Sequence, residues 1–193
     1  MAVKRRRIAK QKKHTGQRIL SAAFKCISTK GSASVSLRDI ADEAGVVLSQ
    51  LNYYYDNREQ LFAAVLRWMK EDYIANVEAR MDSFGTLNEK ARFLIQYNQD
   101  LLQTNRRLYR AFLDFFGLAL WSPSFKKEMN GFLNDILRVI ERQIEPRTAR
   151  DAHSPAALAT MILGTTFGIA MQYLMNPERE EILRGFDILL GVL

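Results

Sequence analysis

The sequence predicts an all-α chain, a small three-helix domain followed by a larger helical body, and three observations carry that prediction. Apolar residues recur at spacings of three and four from about residue 15 to the C-terminus. Helix-start signatures punctuate this pattern at Ser36-x-x-Asp39, Thr86-x-x-Glu89, Ser154-Pro155 and Asn176-Pro177. Near the front, two short amphipathic segments meet at a single glycine, Gly45.

The first helix is expected over residues 15–29, where Leu20, Phe24 and Ile27 share a stripe with Ile19 and Ala23 and Lys30-Gly31 ends the run. In the second, Leu37, Ile40, Ala41 and Ala44 fall at i, i+3, i+4 and i+7, so one face is buried. Ser36 is its expected N-cap, with Asp39 in the first turn. Gly45 stops that helix and turns the chain, a place glycine takes without steric cost. From Leu48 onward, steps of 100° put Leu48, Leu51, Tyr54 and Tyr55 on one arc and Ser49, Gln50, Asn52 and Tyr53 on the other. A short helix with one greasy side and one side of uncharged hydrogen-bonding groups suits a surface that reads base edges. Helix, turn and helix is the layout of DNA-binding helix-turn-helix modules.

Charge supports the same reading. Seven of the 28 basic residues precede residue 14 with no acid among them, and the rest balance the 21 acids, although the net charge is +7. Residues 1–13, including Lys4, Arg5, Arg6 and Arg7, are therefore expected to form a disordered basic arm. It follows DNA phosphates or, read alone, is a solvated tail. The helix-turn-helix domain is expected over residues 14–57 and the body over residues 58–193.

With one cysteine, Cys26, no internal disulfide is possible, and the leading basic run opens no apolar signal core. A cytoplasmic protein is expected. Cys26 reads as a buried inert thiol, and His14 and His153 have no metal-ligand spacing, so no metal or cofactor is expected.

The segments RDIADEAGV, LNYYY and NREQLF closely resemble the TetR family of bacterial transcriptional regulators over residues 18–66, and beyond that only the helical layout is similar. The resemblance implies that Leu51, Tyr54 and Tyr55 pack inward while Ser49, Gln50, Asn52 and Tyr53 face DNA bases. It implies phosphate contacts from Arg58 and Ser36, with Arg38 near them. Two positions depart from the family pattern. Val47 stands where a capping Ser or Thr is common, leaving the start of the recognition helix open, and Asn52 stands where an aromatic is common.

In the body, Phe62, Leu66, Met69, Tyr73 and Val77 keep one face of a long helix apolar to about residue 81, after an Asp56-Asn57 cap. Thr86 starts the next helix. After its first turn the segment 105–121 is apolar nearly all round, which means burial. Phe112, Phe115, Phe116 and Trp121, with Trp68, Phe93, Tyr97 and Met171, either fill the core or line a cavity for an apolar or aromatic effector. Asp114 is the only charge from residue 111 to 121 and would meet a cationic ligand, pair with an arginine or reach solvent. A further helix is expected over residues 124–145, and Asn176-Pro177 is expected to start the last.

Residues 155–175 carry no charge and contain Gly164-x-x-x-Gly168, enough for a membrane span. Thr160, Thr165, Thr166 and Gln172 dilute it and no basic cluster flanks it, so a helix at a subunit interface is the preferred reading and no membrane is expected. The family resemblance implies a homodimer built on the last two helices, with Leu163, Gly164, Phe167, Gly168, Met171, Phe186 and Leu189 at the interface. No phosphate loop, nucleophile elbow or Cys/His cluster supports an enzyme. The expected function is a dimeric, effector-responsive repressor on a palindromic double-stranded DNA operator. The competing class is a helical adaptor, soluble or membrane-attached, without specific DNA binding.

Overall fold

The computed structural model describes residues 2–143 and 154–192, with side chains described except at residues 2–13, 87, 88, 143, 155 and 192. The protein is all-α. Nine α-helices occur among the described residues: α1 Ala2–Lys30, α2 Leu37–Ala44, α3 Leu48–Tyr54, α4 Arg58–Met81, α5 Leu87–Thr104, α6 Arg106–Trp121, α7 Pro123–Gln143, α8 Pro155–Met175 and α9 Arg184–Val192. They fall into two compact units, Met1–Met69 with Asp114–Met129, and Lys70–Leu113 with Asn130–Leu193. The first unit reaches past the boundary expected at residue 57.

In the first unit α1 packs on α2, and α2 on α3. Its core joins Ile19, Ala23 and Ile27 of α1 to Ile40, Leu51, Phe62 and Leu66. Phe115 lies among them, its ring 5.8 Å from Phe62 and 5.4 Å from Phe125. The N-terminus differs from expectation, because α1 is helical from Ala2 instead of following a disordered arm. Residues 2–15 contain no Gly or Pro and are rich in Ala, Lys, Arg and Gln, all strong helix formers.

The second unit buries Leu94, Ile95, Leu102, Phe112, Ile136, Ile162 and Phe186. Its helix starts follow the sequence signals: Thr86 accepts from the Glu89 N–H at 3.2 Å while Glu89 accepts from the Thr86 N–H at 2.9 Å, and Ser154 accepts from the Ala157 N–H at 3.1 Å. Asn176-Pro177 is the exception. The Arg179 N–H bonds to the Asn176 carbonyl at 3.0 Å, making a turn in place of an α-helical bond. A 3-10 turn at Glu180–Leu183 follows, and α9 begins only at Arg184. Helix α7 is described as far as Gln143, and residues 144–153, with the expected helix end and His153, lie outside the described residues. By length and composition, Ala156–Met175 alone among the described helices is apolar enough to cross a membrane.

Candidate nucleic-acid interface

The α2–turn–α3 hairpin is fixed by local chemistry. Ser36 Oγ accepts the Asp39 N–H at 3.1 Å, and the Asp39 carboxylate accepts the Ser36 N–H at 2.8 Å and the Ser36 hydroxyl at 2.5 Å. Those bonds from the Ser36 hydroxyl and backbone hold the Asp39 carboxyl below its ordinary value. The single hydroxyl proton of Ser36, expected on a phosphate, is thus given to Asp39. Gly45 ends α2 in the left-handed region at φ 63° and ψ 42°. Its N–H bonds to Asp42 at 3.1 Å and the Val46 N–H to Ala41 at 3.0 Å, the paired bonds of a Schellman motif.

A residue that the sequence reading missed completes the turn. Arg18 of α1 reaches the carbonyls of Ala44 at 2.5 Å and Gly45 at 3.2 Å. It satisfies orphan acceptors and sets a positive charge against the negative end of the α2 dipole.

Helix α3 begins at Leu48 after Val47, which is extended and makes no side-chain cap. The start left open by Val47 is thereby located. Leu51 is fully buried, Leu48, Tyr54 and Tyr55 are half-buried, and Ser49, Gln50, Asn52 and Tyr53 are exposed. The structure therefore brings the four expected base-facing residues onto one solvent face. Tyr55 lies just past the helix, and its burial raises the phenol pKa. Tyr54 packs where α1 has Gly16, whose added Cβ would come within 3.6 Å of the ring, and Tyr53 meets Tyr54 edge-on at 5.5 Å.

The other expected DNA contacts divide. Arg38 is exposed beside the capped start of α2. Arg58 is half-buried: its guanidinium donates to the Ser32 carbonyl and lies 4.9 Å over the Phe62 ring, an internal role in place of the expected phosphate. The Ser32 N–H donates to the Asp114 carboxylate, so Asp114 anchors the segment between α1 and α2. The side chains of Lys4, Arg5, Arg6 and Arg7 lie outside the described residues.

The expected effector-site residues divide between the two units. In the first unit Trp68 meets Phe24 edge-on at 5.6 Å, Phe115 is core, and Phe116 and Trp121 are exposed. In the second, Phe112 stacks on Phe167 at 4.3 Å and meets Phe132 at 5.2 Å. A separate stack runs Phe84, Phe93, Tyr97, with spacings of 5.3 and 5.7 Å. Met171 is exposed. Unexpected from sequence is a buried polar knot: Asn98 donates to Tyr73 Oη at 3.0 Å and to the Leu94 carbonyl at 2.8 Å, and accepts from Tyr109 at 2.9 Å. Burial raises the pKa of both phenols.

The expected interface residues are partly corrected. Phe186 and Leu189 are buried within their own unit, because they form the inward face of α9, continued by Leu183 of the preceding 3-10 turn. Phe167 is taken by Phe112, and Leu163 is half-buried. Of the expected residues, Gly164 and Met171 do lie on the outward face of α8, with Met161 and Met175 beside them, and Ile188 stands out from α9. A Cβ added at Gly164 or Gly168 would meet nothing within 4 Å.

Residues 19–65 match the family model described as bacterial regulatory proteins, tetR family. The chain is 34% identical over 122 residues to the HTH-type transcriptional regulator RutR of Escherichia coli O157:H7, covering 62% of this chain and only 55% of that relative. It is 21% identical over 178 residues to the fatty acid metabolism regulator protein of Bacillus subtilis strain 168, covering 90% of this chain and 91% of that protein. The fold resembles the crystal structure of the Bacillus subtilis transcriptional regulator FadR in complex with stearoyl-CoA, with a TM-score of 0.79 and 19% identity over 91% of this chain and 96% of that one.

Proposed function

We propose, from the premise that residues 19–65 match the tetR family of bacterial regulatory proteins, that this chain is a homodimeric repressor that binds a palindromic operator and is released by a small apolar or aromatic effector. The observation that carries this reading is the α3 face, where Ser49, Gln50, Asn52 and Tyr53 are exposed side by side opposite buried Leu51. A helix of that kind fits the major groove and offers hydrogen-bonding groups to base edges.

One such helix reads only a few base pairs, so a two-fold dimer that presents two of them to successive grooves multiplies specificity. The uncharged outward face of α8, with its glycines and methionines, supports that dimer. The Phe93–Tyr97 stack in the second unit, and the stearoyl-CoA held by the similar FadR structure, support an apolar effector. Asp114 has a partner within the chain, since its carboxylate accepts the Ser32 N–H. The effector lowers DNA affinity by binding more tightly to the dimer state with mismatched recognition helices. The protein acts in the cytoplasm and catalyses no reaction.

The close Phe112–Phe167 stack favours a second reading, a dimer without effector whose aromatic groups simply fill the body. Thermal-shift screening with acyl-CoA and aromatic acids separates the two. The primary test is enrichment of genomic fragments by the purified full-length protein, followed by footprinting. A discrete, roughly palindromic footprint is expected, whereas diffuse, salt-sensitive binding alone overturns the regulator reading.

A further inference from the structure

Residues 45–56, which hold the turn and the whole of α3, contain no Lys or Arg. The commonest specific major-groove contact, a bidentate Arg or Lys on guanine O6 and N7, is therefore missing from this helix. Its exposed face offers two other chemistries. Gln50 and Asn52 are carboxamides, whose paired donor and acceptor match adenine N6 and N7. Val47 and Tyr53 are large apolar groups left 66% and 69% exposed at the two ends of the helix. Val47 contributes no cap, so its isopropyl group serves neither the helix start nor the core. Among base edges in the major groove, only thymine presents a methyl group.

We propose that α3 is an A·T reader: Gln50 and Asn52 take adenine edges, while Val47 and the Tyr53 ring pack against thymine 5-methyl groups. The operator half-site beneath α3 is then A·T-rich, and guanine is not selected there. The inference rests on the DNA-binding reading proposed above and adds the chemistry that sets its specificity.

The test is selection of sites from a random duplex library by the full-length protein, followed by single replacements in the enriched site. Exchanging thymine for uracil removes only the methyl group and should weaken binding about fourfold at a contacted position. Val47→Ser should erase the thymine–uracil difference at one position and Tyr53→Ala at another, each lowering affinity for the thymine-containing site toward that of the uracil-containing one. Gln50→Ala should cost about tenfold at its adenine. An enriched G·C core, uniform indifference to uracil, or discrimination that survives in both Val47→Ser and Tyr53→Ala overturns the A·T assignment while leaving the regulator reading standing. Failure to enrich any sequence overturns both.

Discussion

The carboxylate of Asp114 in α6 accepts the backbone N–H of Ser32, 82 residues earlier in the chain. Ser32 is buried, so its N–H depends on this remote carboxylate, while its carbonyl accepts from Arg58 and from the nearby Val35 N–H at 3.4 Å. Asp114→Ala should lower the unfolding free energy by about 1–3 kcal/mol, the cost of leaving a buried donor unsatisfied. Asp114→Asn should retain most of it, because the carboxamide oxygen still accepts. Urea denaturation of the two variants decides the matter, and equal losses would assign the effect to charge instead of the hydrogen bond.

At Gly45 the left-handed backbone and the Arg18 guanidinium act on the same atom position. A Cβ there would lie 3.1 Å from Arg18 Nη2 at a φ of 63°. Gly45→Ala should destabilise the protein by about 1–2 kcal/mol from backbone strain. Gly45→Asn should cost less strain, since Asn tolerates that region. Chemical denaturation measures both, and a neutral alanine would refute the tight turn.

The hairpin was legible in the sequence because its determinants are local: a capping pair three residues apart, a glycine after the last helical turn and periodic apolar residues. What completes it was not. Arg18 and Ala44 are 26 residues apart, as are Arg58 and Ser32, and no periodicity pairs them. The basic N-terminal run was read by its charge, whereas its helix follows from propensity and the lack of breakers. The family resemblance implied an interface for Phe186 and Leu189, yet they are buried in their own unit, since an apolar pair looks the same whether it meets its own core or a second subunit. Phe112 and Phe115 are likewise one turn apart on α6, yet pack in different units.

The Ser36–Asp39 pair makes the α2 start sensitive to acid. The Asp39 pKa is lowered by its bonds from Ser36, so its contribution is complete above the unfolded value, about pH 4. It is lost as pH falls through the lower folded value. The stability gap between the wild type and Ser36→Ala should be constant near neutrality and narrow below about pH 4. Melting curves across that range test the sign, and a gap that widened on acidification would contradict the capping box.

Outward and inward residues of α8 and α9 should respond in opposite ways. Ile188 is 69% exposed and Met171 is 50% exposed, so Glu at either position disturbs no core. In the proposed dimer each would carry two buried carboxylates across the two-fold axis, a strongly unfavourable desolvation. Met171→Glu and Ile188→Glu should therefore yield folded monomers by sedimentation velocity, with unchanged helical circular dichroism and weakened operator binding. Phe186→Ala should instead lower stability by about 3–5 kcal/mol through loss of a fully buried ring. Dimers that persist in both Glu variants would remove this face of α8 and α9 from the interface.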